Sequence, residues 1–111
     1  MSEIVKNWTE WLKTSRFSYM SELQRQQTIL WLCNVRDKIL ERAGLKEGDT
    51  VLDIGTGTGL LGFGSYVKLG GKGRFILSDA FADCVESCKL VAEKSGIKEN
   101  LELLVSDASD I

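Results

Sequence analysis

Apolar residues recur along this chain at helical spacing near its start, and later in short strand-like runs separated by helical stretches. Ile4, Trp8, Trp11 and Leu12 stand at i, i+4, i+7 and i+8, which predicts an amphipathic helix over residues 3–13. A connector from Lys13 to Met20 carries Arg16, Phe17 and Tyr19. Ser21 followed by Gln24 has the form of a capping box. It opens a second helix with Leu32, Val35, Ile39, Leu40 and Ala43 on one face, closed by Gly44. Beyond the turn Lys46-Glu47-Gly48-Asp49 the pattern becomes a strand from Thr50 to Ile54 and a helix from Leu60 to Leu69. Gly70 to Gly73 break that helix, and Arg74 to Ser78 form a second strand that ends at Asp79. A helix from Ala82 to Ser95 turns Cys84, Val85, Cys88, Val91 and Ala92 inward, and a third strand runs from Leu101 to Val105.

Strand, helix, strand, helix, strand at this spacing predicts an α/β unit with right-handed crossovers and a parallel sheet. The chain divides into a helical segment, residues 1–44, and a Rossmann-like subdomain, residues 45–111. Ligands of such sheets bind outside the carboxyl ends of the strands. All three strands end there in chemistry-bearing residues: Asp53 to Gly59, Asp79, and Asp107.

The first of these segments is the most informative. Val51-Leu52-Asp53-Ile54 runs into Gly55-Thr56-Gly57-Thr58-Gly59, three glycines separated by single residues. Such a loop lets a backbone lie against a ligand, and the helix behind it turns a positive dipole end toward the site. Two ligands fit at this level. Gly57-Thr58-Gly59-Leu60-Leu61-Gly62 satisfies the G-x-G-x-x-G of dinucleotide sites, with Asp79 where a ribose-binding acid belongs. An acid at the strand end, Asp53, repels a pyrophosphate and suits a ligand that carries an ammonium group, such as S-adenosylmethionine.

Taken together, the residues resemble the class I S-adenosylmethionine-dependent methyltransferases. Val51 to Gly59 is similar to that family's first motif, Asp79 to the acid ending its second strand, and Ser106 to Ile111 to its third-strand motif. The resemblance covers Leu45 to Ile111. It implies a Rossmann-like three-layer methyltransferase fold, of which this chain carries the N-terminal β-α-β-α-β part behind two helices, the sheet stopping after the third strand. It also implies S-adenosyl-L-methionine as cofactor. Gly55, Thr56, Gly57 and Gly59 would cradle the methionine portion and Asp53 would hold its amine. Asp79 would take the ribose hydroxyls, Ala80 and Phe81 would flank the adenine, and Asp107 with the Ala108 amide would read its edge. No catalytic side chain is implied, since the sulfonium carries the reactivity. Two other outcomes stay open: a non-catalytic module that binds this ligand or a nucleotide, and an NAD-type fragment.

Composition narrows the setting. With 14 basic against 16 acidic residues there is no basic footprint for nucleic acid, which favours a small-molecule acceptor. No apolar stretch reaches the roughly 20 residues of a membrane span. Histidine is absent, which removes histidine bases and most zinc sites, and no metal is expected. Three cysteines, an odd number without dense spacing, point to a reducing, cytoplasmic compartment. Cys84 and Cys88, at i and i+4, read as core residues, as does Cys33; Trp8, Trp11 and Trp31 read as packing for the leading helices. Plainer roles compete at the acids: Asp53 as a cap for the glycine loop, Asp79 as a helix cap, Asp107 as a turn residue. Arg16, Phe17 and Tyr19 are candidates for a lid. A three-stranded sheet with helices on one face would leave the other face and the Thr50–Ile54 edge bare, which predicts self-association or a complementing chain.

Overall fold

The computed structural model describes residues 2–107 and Ser109. In chain order these form α1 (Glu3–Thr14), α2 (Glu22–Ala43), β1 (Thr50–Ile54), α3 (Leu60–Lys68), β2 (Arg74–Asp79), α4 (Ala82–Lys94) and β3 (Leu101–Val105). Local chemistry sets most boundaries. Ser2 caps α1 by accepting the Val5 amide. Ser21 and Gln24 complete a reciprocal capping box at α2, and Gly44 ends that helix in the left-handed region.

The sheet has the order β1-β2-β3, and both pairings are parallel. In register, Val51 faces Phe75 and Phe75 faces Leu101; two residues on, Asp53 faces Leu77 and Leu77 faces Leu103. These rows lie on the face covered by α3 and α4, with α1 packed against both helices. Phe75 and Leu77 are fully buried beside Trp8, Leu12, Phe63, Cys88 and Val91. Burying side chains of that size contributes about 1.5–3 kcal/mol each. Crossovers that run the same way place both connecting helices on one face. The opposite face carries Leu52, Ile54 and Leu104, all exposed, and β1 is an edge among the described residues.

Two details depart from the sequence pattern. The inward line of α2 is Ile29 and Leu40 with half-buried Leu32 and Cys33, whereas Ile39 and Ala43 are exposed. That helix packs mainly against α3, where Arg36 and Leu40 close on Gly64, so only a narrow strip of it is covered. Trp31 is exposed for the same reason and does not pack the helices together. Cys84 is half-buried rather than in the core, because it faces the connector after α1 and not the sheet. No helix among the described residues is long and apolar enough to cross a membrane.

α3 lies close on β2 because Gly62 has no side chain; a Cβ there would sit 2.4 Å from Leu77 Cγ. Alanine is the better helix former by about 1 kcal/mol, but overpacking costs about 1–3 kcal/mol and here meets a fully buried neighbour. Gly62→Ala is therefore expected to lower stability by about 1–2 kcal/mol, read as a lower urea midpoint at unchanged m-value. A raised midpoint would show that Leu77 yields.

Candidate functional site

The carboxyl ends of β1 and β2 bring Asp53, the glycine loop and Asp79 together. Gly55, Gly57 and Gly59 all have positive φ, at 72°, 56° and 83°. A Cβ added at Gly55 or Gly57 would meet nothing within 4 Å, so the loop's outer surface is open where a ligand would lie. Behind Gly59 the space is filled, with the Phe63 ring 2.5 Å from a Cβ placed there. The loop is a thin sheet of backbone, open in front and packed behind.

Four amides of the loop and of the first turn of α3 are already bonded within the protein. The Thr56 amide donates to the Ser78 carbonyl at 2.9 Å, and the Gly59 amide to the Thr56 carbonyl at 2.8 Å. The Gly57 amide donates to Asp79 Oδ2 at 2.9 Å. The Gly62 amide, in the first turn of α3, donates to Asp53 Oδ2 at 2.9 Å, and that oxygen also accepts the Thr56 hydroxyl at 2.8 Å. A pyrophosphate needs such amides aimed outward at it. Here the Thr56, Gly57, Gly59 and Gly62 amides are spent on the sheet, Asp79, the loop itself and Asp53. Because peptides are trans, an inward Thr56 amide leaves the Gly55 carbonyl directed away from β2. Carbonyls and carboxylates suit a ligand that donates, such as an ammonium group.

Asp79 shapes the turn into α4 without being the N-cap that the sequence offered as its plainer role. Its Oδ1 accepts the Phe81 amide at 2.9 Å, and Phe81 is the N-cap. The Phe81 and Gly57 amides hold its carboxyl below the usual aspartate range, outweighing burial, and the Arg16 guanidinium adds to the effect. Asp53 moves the other way. Burial pushes its carboxyl up against the two hydrogen bonds it accepts, and nearby Asp79 pushes it further. Two carboxylates on one loop make the field there negative.

The remaining predicted residues are placed less tightly. Phe81 follows Asp79 with its ring 72% exposed, as a stacking surface for a base requires, and Ala80 beside it is exposed. Asp107 is exposed; its Oδ1 accepts the Ser109 amide at 3.0 Å and hydroxyl at 3.1 Å, which lower its pKa in that order. It shapes a turn after β3, and that use leaves Oδ2 for another partner. Ala108 lies outside the described residues. Of the lid candidates, Arg16 Nη2 approaches Cys84 Sγ at 3.5 Å near the start of α4, Phe17 packs against the core, and Tyr19 is exposed.

Two partners of the loop carried no local signal in the sequence. Trp8 Nε1 donates to the Thr58 carbonyl at 2.9 Å, and Cys88 Sγ lies 3.5 Å from the Gly57 carbonyl. Burial raises the Cys88 thiol to about 12, so it stays protonated behind the loop. Among the described residues every buried side-chain nitrogen and oxygen has a partner. A cleft of about 350 Å³ lies elsewhere, between α1, α2 and α3, lined by Val5, Arg36, Leu40, Gly64, Val67 and Lys68. Position at the strand ends and chemistry select the loop over that cleft.

Residues 45–111 match a family model described as a methyltransferase domain. The chain is 32% identical over 77 residues to a probable cobalt-precorrin-6B C(15)-methyltransferase (decarboxylating) from Saccharolobus solfataricus. That match takes in 69% of this chain and 39% of the relative. A crystal structure of an S-adenosylmethionine-dependent methyltransferase from Aquifex aeolicus superposes with a TM-score of 0.57 at 38% identity, covering 65% of this chain and 38% of the other. The chain therefore spans about two fifths of the length of these relatives.

The opposed shifts of Asp53 and Asp79 have opposite effects on stability. Asp79 ionises below its ordinary 3.8, so its contribution is complete above that value and is lost as pH falls through the lowered one. Asp53 ionises above 3.8, so the native state holds that proton longer than the unfolded chain, and stability declines as pH rises through the window that opens there. Asp53→Asn keeps an acceptor for Thr56 and Gly62 but cannot ionise. Denaturant unfolding over about pH 4 to pH 6 is expected to show the stability difference moving toward the variant as pH rises. A difference constant across that range would mean that burial does not set the Asp53 titration.

Proposed function

The chain belongs to the class I S-adenosylmethionine-dependent methyltransferases, and from that membership we propose that residues 45–111 form the half of the catalyst that binds S-adenosyl-L-methionine. The observation that carries this reading is the inward commitment of the Thr56, Gly57, Gly59 and Gly62 amides. It takes up four of the donors that a dinucleotide's pyrophosphate could use. It leaves an open glycine surface beside two acids, which suits a cationic ligand. Asp53 is half-buried, so an effective dielectric near 20 applies, and a unit charge about 6 Å from it gains or loses about 3 kcal/mol by sign alone. A sulfonium with an ammonium group is on the favourable side of that term.

In this reading Gly55 and Gly57 give close backbone approach to the methionine portion, with the Gly55 carbonyl and Asp53 turned to its amine. Asp79, already fixed by two amides, accepts from the ribose hydroxyls, and such charge-assisted bonds contribute about 1.5–3 kcal/mol each. Phe81 and Ala80 flank the adenine, and Asp107 with Ala108 reads its edge. The bound cofactor supplies an electrophilic methyl group. The protein's part is to hold donor and acceptor in line and keep water out. The acceptor we assign is a small molecule: the Saccharolobus relative is named for one, and this chain has no basic tract for nucleic acid. A reducing, cytoplasmic setting accords with the free Cys33, Cys84 and Cys88.

Calorimetric titration with S-adenosylmethionine, S-adenosylhomocysteine and NAD tests the ligand. The first two are expected to bind and NAD is not; the reverse pattern would overturn the reading. Asp79→Ala is expected to weaken S-adenosylhomocysteine binding about tenfold or more, and unchanged affinity would reduce Asp79 to a turn residue. The exposed row of Leu52, Ile54 and Leu104 beside the β1 edge calls for cover from a second copy or a complementing chain. Light scattering is expected to show self-association that grows with concentration, and a stable monomer at high concentration would exclude the second copy.

A further inference from the structure

We infer that Trp8, from a helix outside the matched methyltransferase region, is a positioning residue for the methyl donor because it locks the last peptide of the glycine loop; this rests on the function proposed above. The α1 stripe buries Ile4 and Leu12 on either side of Trp8 and leaves the indole 2% exposed. An indole at that depth must spend its N–H on a partner. The partner is the Thr58 carbonyl, fifty residues along the chain, at 2.9 Å.

The four peptides from Gly55 to Gly59 each have a partner, that of the peptide between Gly57 and Thr58 being the Cys88 thiol on the Gly57 carbonyl. The peptide between Gly55 and Thr56 is held by Ser78, through the Thr56 amide. That between Thr56 and Gly57 is held by Asp79, through the Gly57 amide. The peptide between Thr58 and Gly59 has glycine on its far side, which accepts either sign of φ, so a flip there meets little steric resistance. Gly59 is also the N-cap of α3 and makes no side-chain cap bond. Trp8 supplies the fixed point. Drawing the Thr58 carbonyl toward α1 turns the Gly59 amide the opposite way, onto the Thr56 carbonyl at 2.8 Å. The loop surface offered to the ligand thus depends on a side chain from residues 1–44. At its other end α1 is stapled to α4 by Asn7 Nδ2 donating to Ser95 Oγ at 3.0 Å, so the anchor is itself held.

Trp8→Phe keeps an aromatic ring in the core and removes the donor together with part of the ring volume, a packing loss for which Leu12→Ala is the control. Calorimetry with S-adenosylhomocysteine on the full chain is expected to show about tenfold weaker binding, equal to the loss of one well-made hydrogen bond. Leu12→Ala, on the same helix and equally buried, is expected to lower stability while leaving affinity within twofold at a temperature where it is folded. In the unmutated protein the Trp8 indole N–H resonance is expected to shift and to exchange more slowly when S-adenosylhomocysteine saturates the site. Trp8→Phe binding within twofold of the unmutated protein overturns the inference and leaves the proposed function standing. If Trp8→Phe does not fold, an indole resonance indifferent to ligand overturns it in its place. Failure of the unmutated protein to bind S-adenosylhomocysteine overturns the proposed function, and the role of Trp8 with it.

Discussion

The fold of this chain depends on one oxygen. Asp53 Oδ2 joins the end of β1, the Thr56 hydroxyl in the loop and the Gly62 amide in the first turn of α3. Three glycines with positive φ cannot hold a loop in one shape by themselves, since they lose the most conformational freedom on ordering. The shape must come from bonds made to the loop's backbone, and its neighbours supply them. Asp53 makes the first, and Ser78 and Asp79 extend the set along β2. Placing a charge where it loses hydration is unfavourable, and the upward shift of Asp53 records that cost. The site accepts the cost because the same charge closes the loop and sets the sign of the field above it.

This double use explains why function and structure could not be separated at the acids. In sequence, Asp53 and Asp79 each had a ligand role and a capping role, presented as alternatives. In the structure each carboxylate is first a part of the loop: Asp79 uses one oxygen on Gly57 and the other on Phe81. A carboxylate oxygen accepts more than one hydrogen bond, so neither use removes the acid from a ligand. Fixing an acceptor before the ligand arrives lowers the ordering cost of binding. Asp107 lies at the other extreme. Its turn with Ser109 is local and exposed.

Strand and helix order, all three strand spans and the loop were legible because each rests on local signals: short β-branched runs, Ser21 with Gln24, and glycines at breaks. What was not legible depends on partners far along the chain. The inward face of α2 could not be read from its apolar residues, since they lie around much of its circumference and only contact with α3 selects Ile29 and Leu40 over Ile39. Trp31 and Cys84 were misplaced for the same reason. Trp8 was assigned to packing, which is correct for its ring; the destination of its N–H is set by the approach of Thr58, which no pattern in residues 3–13 encodes.

The boundary at residue 45 that divides the chain by sequence is therefore not a boundary in the site. The family match begins there, ahead of three strand ends that follow one another along the chain. The physical unit is larger. Ile4, Trp8 and Leu12 share one core with Phe63, Phe75, Leu77 and Cys88, so the layer that supports the loop from behind is built from both segments. A glycine loop that is open in front can be only as rigid as what stands behind it. Here that support is the Trp8 indole, the ring of Phe63 and the protonated thiol of Cys88, each touching a different residue of the loop. The leading helix thus reaches the glycine loop directly, through the bond from Trp8 to Thr58.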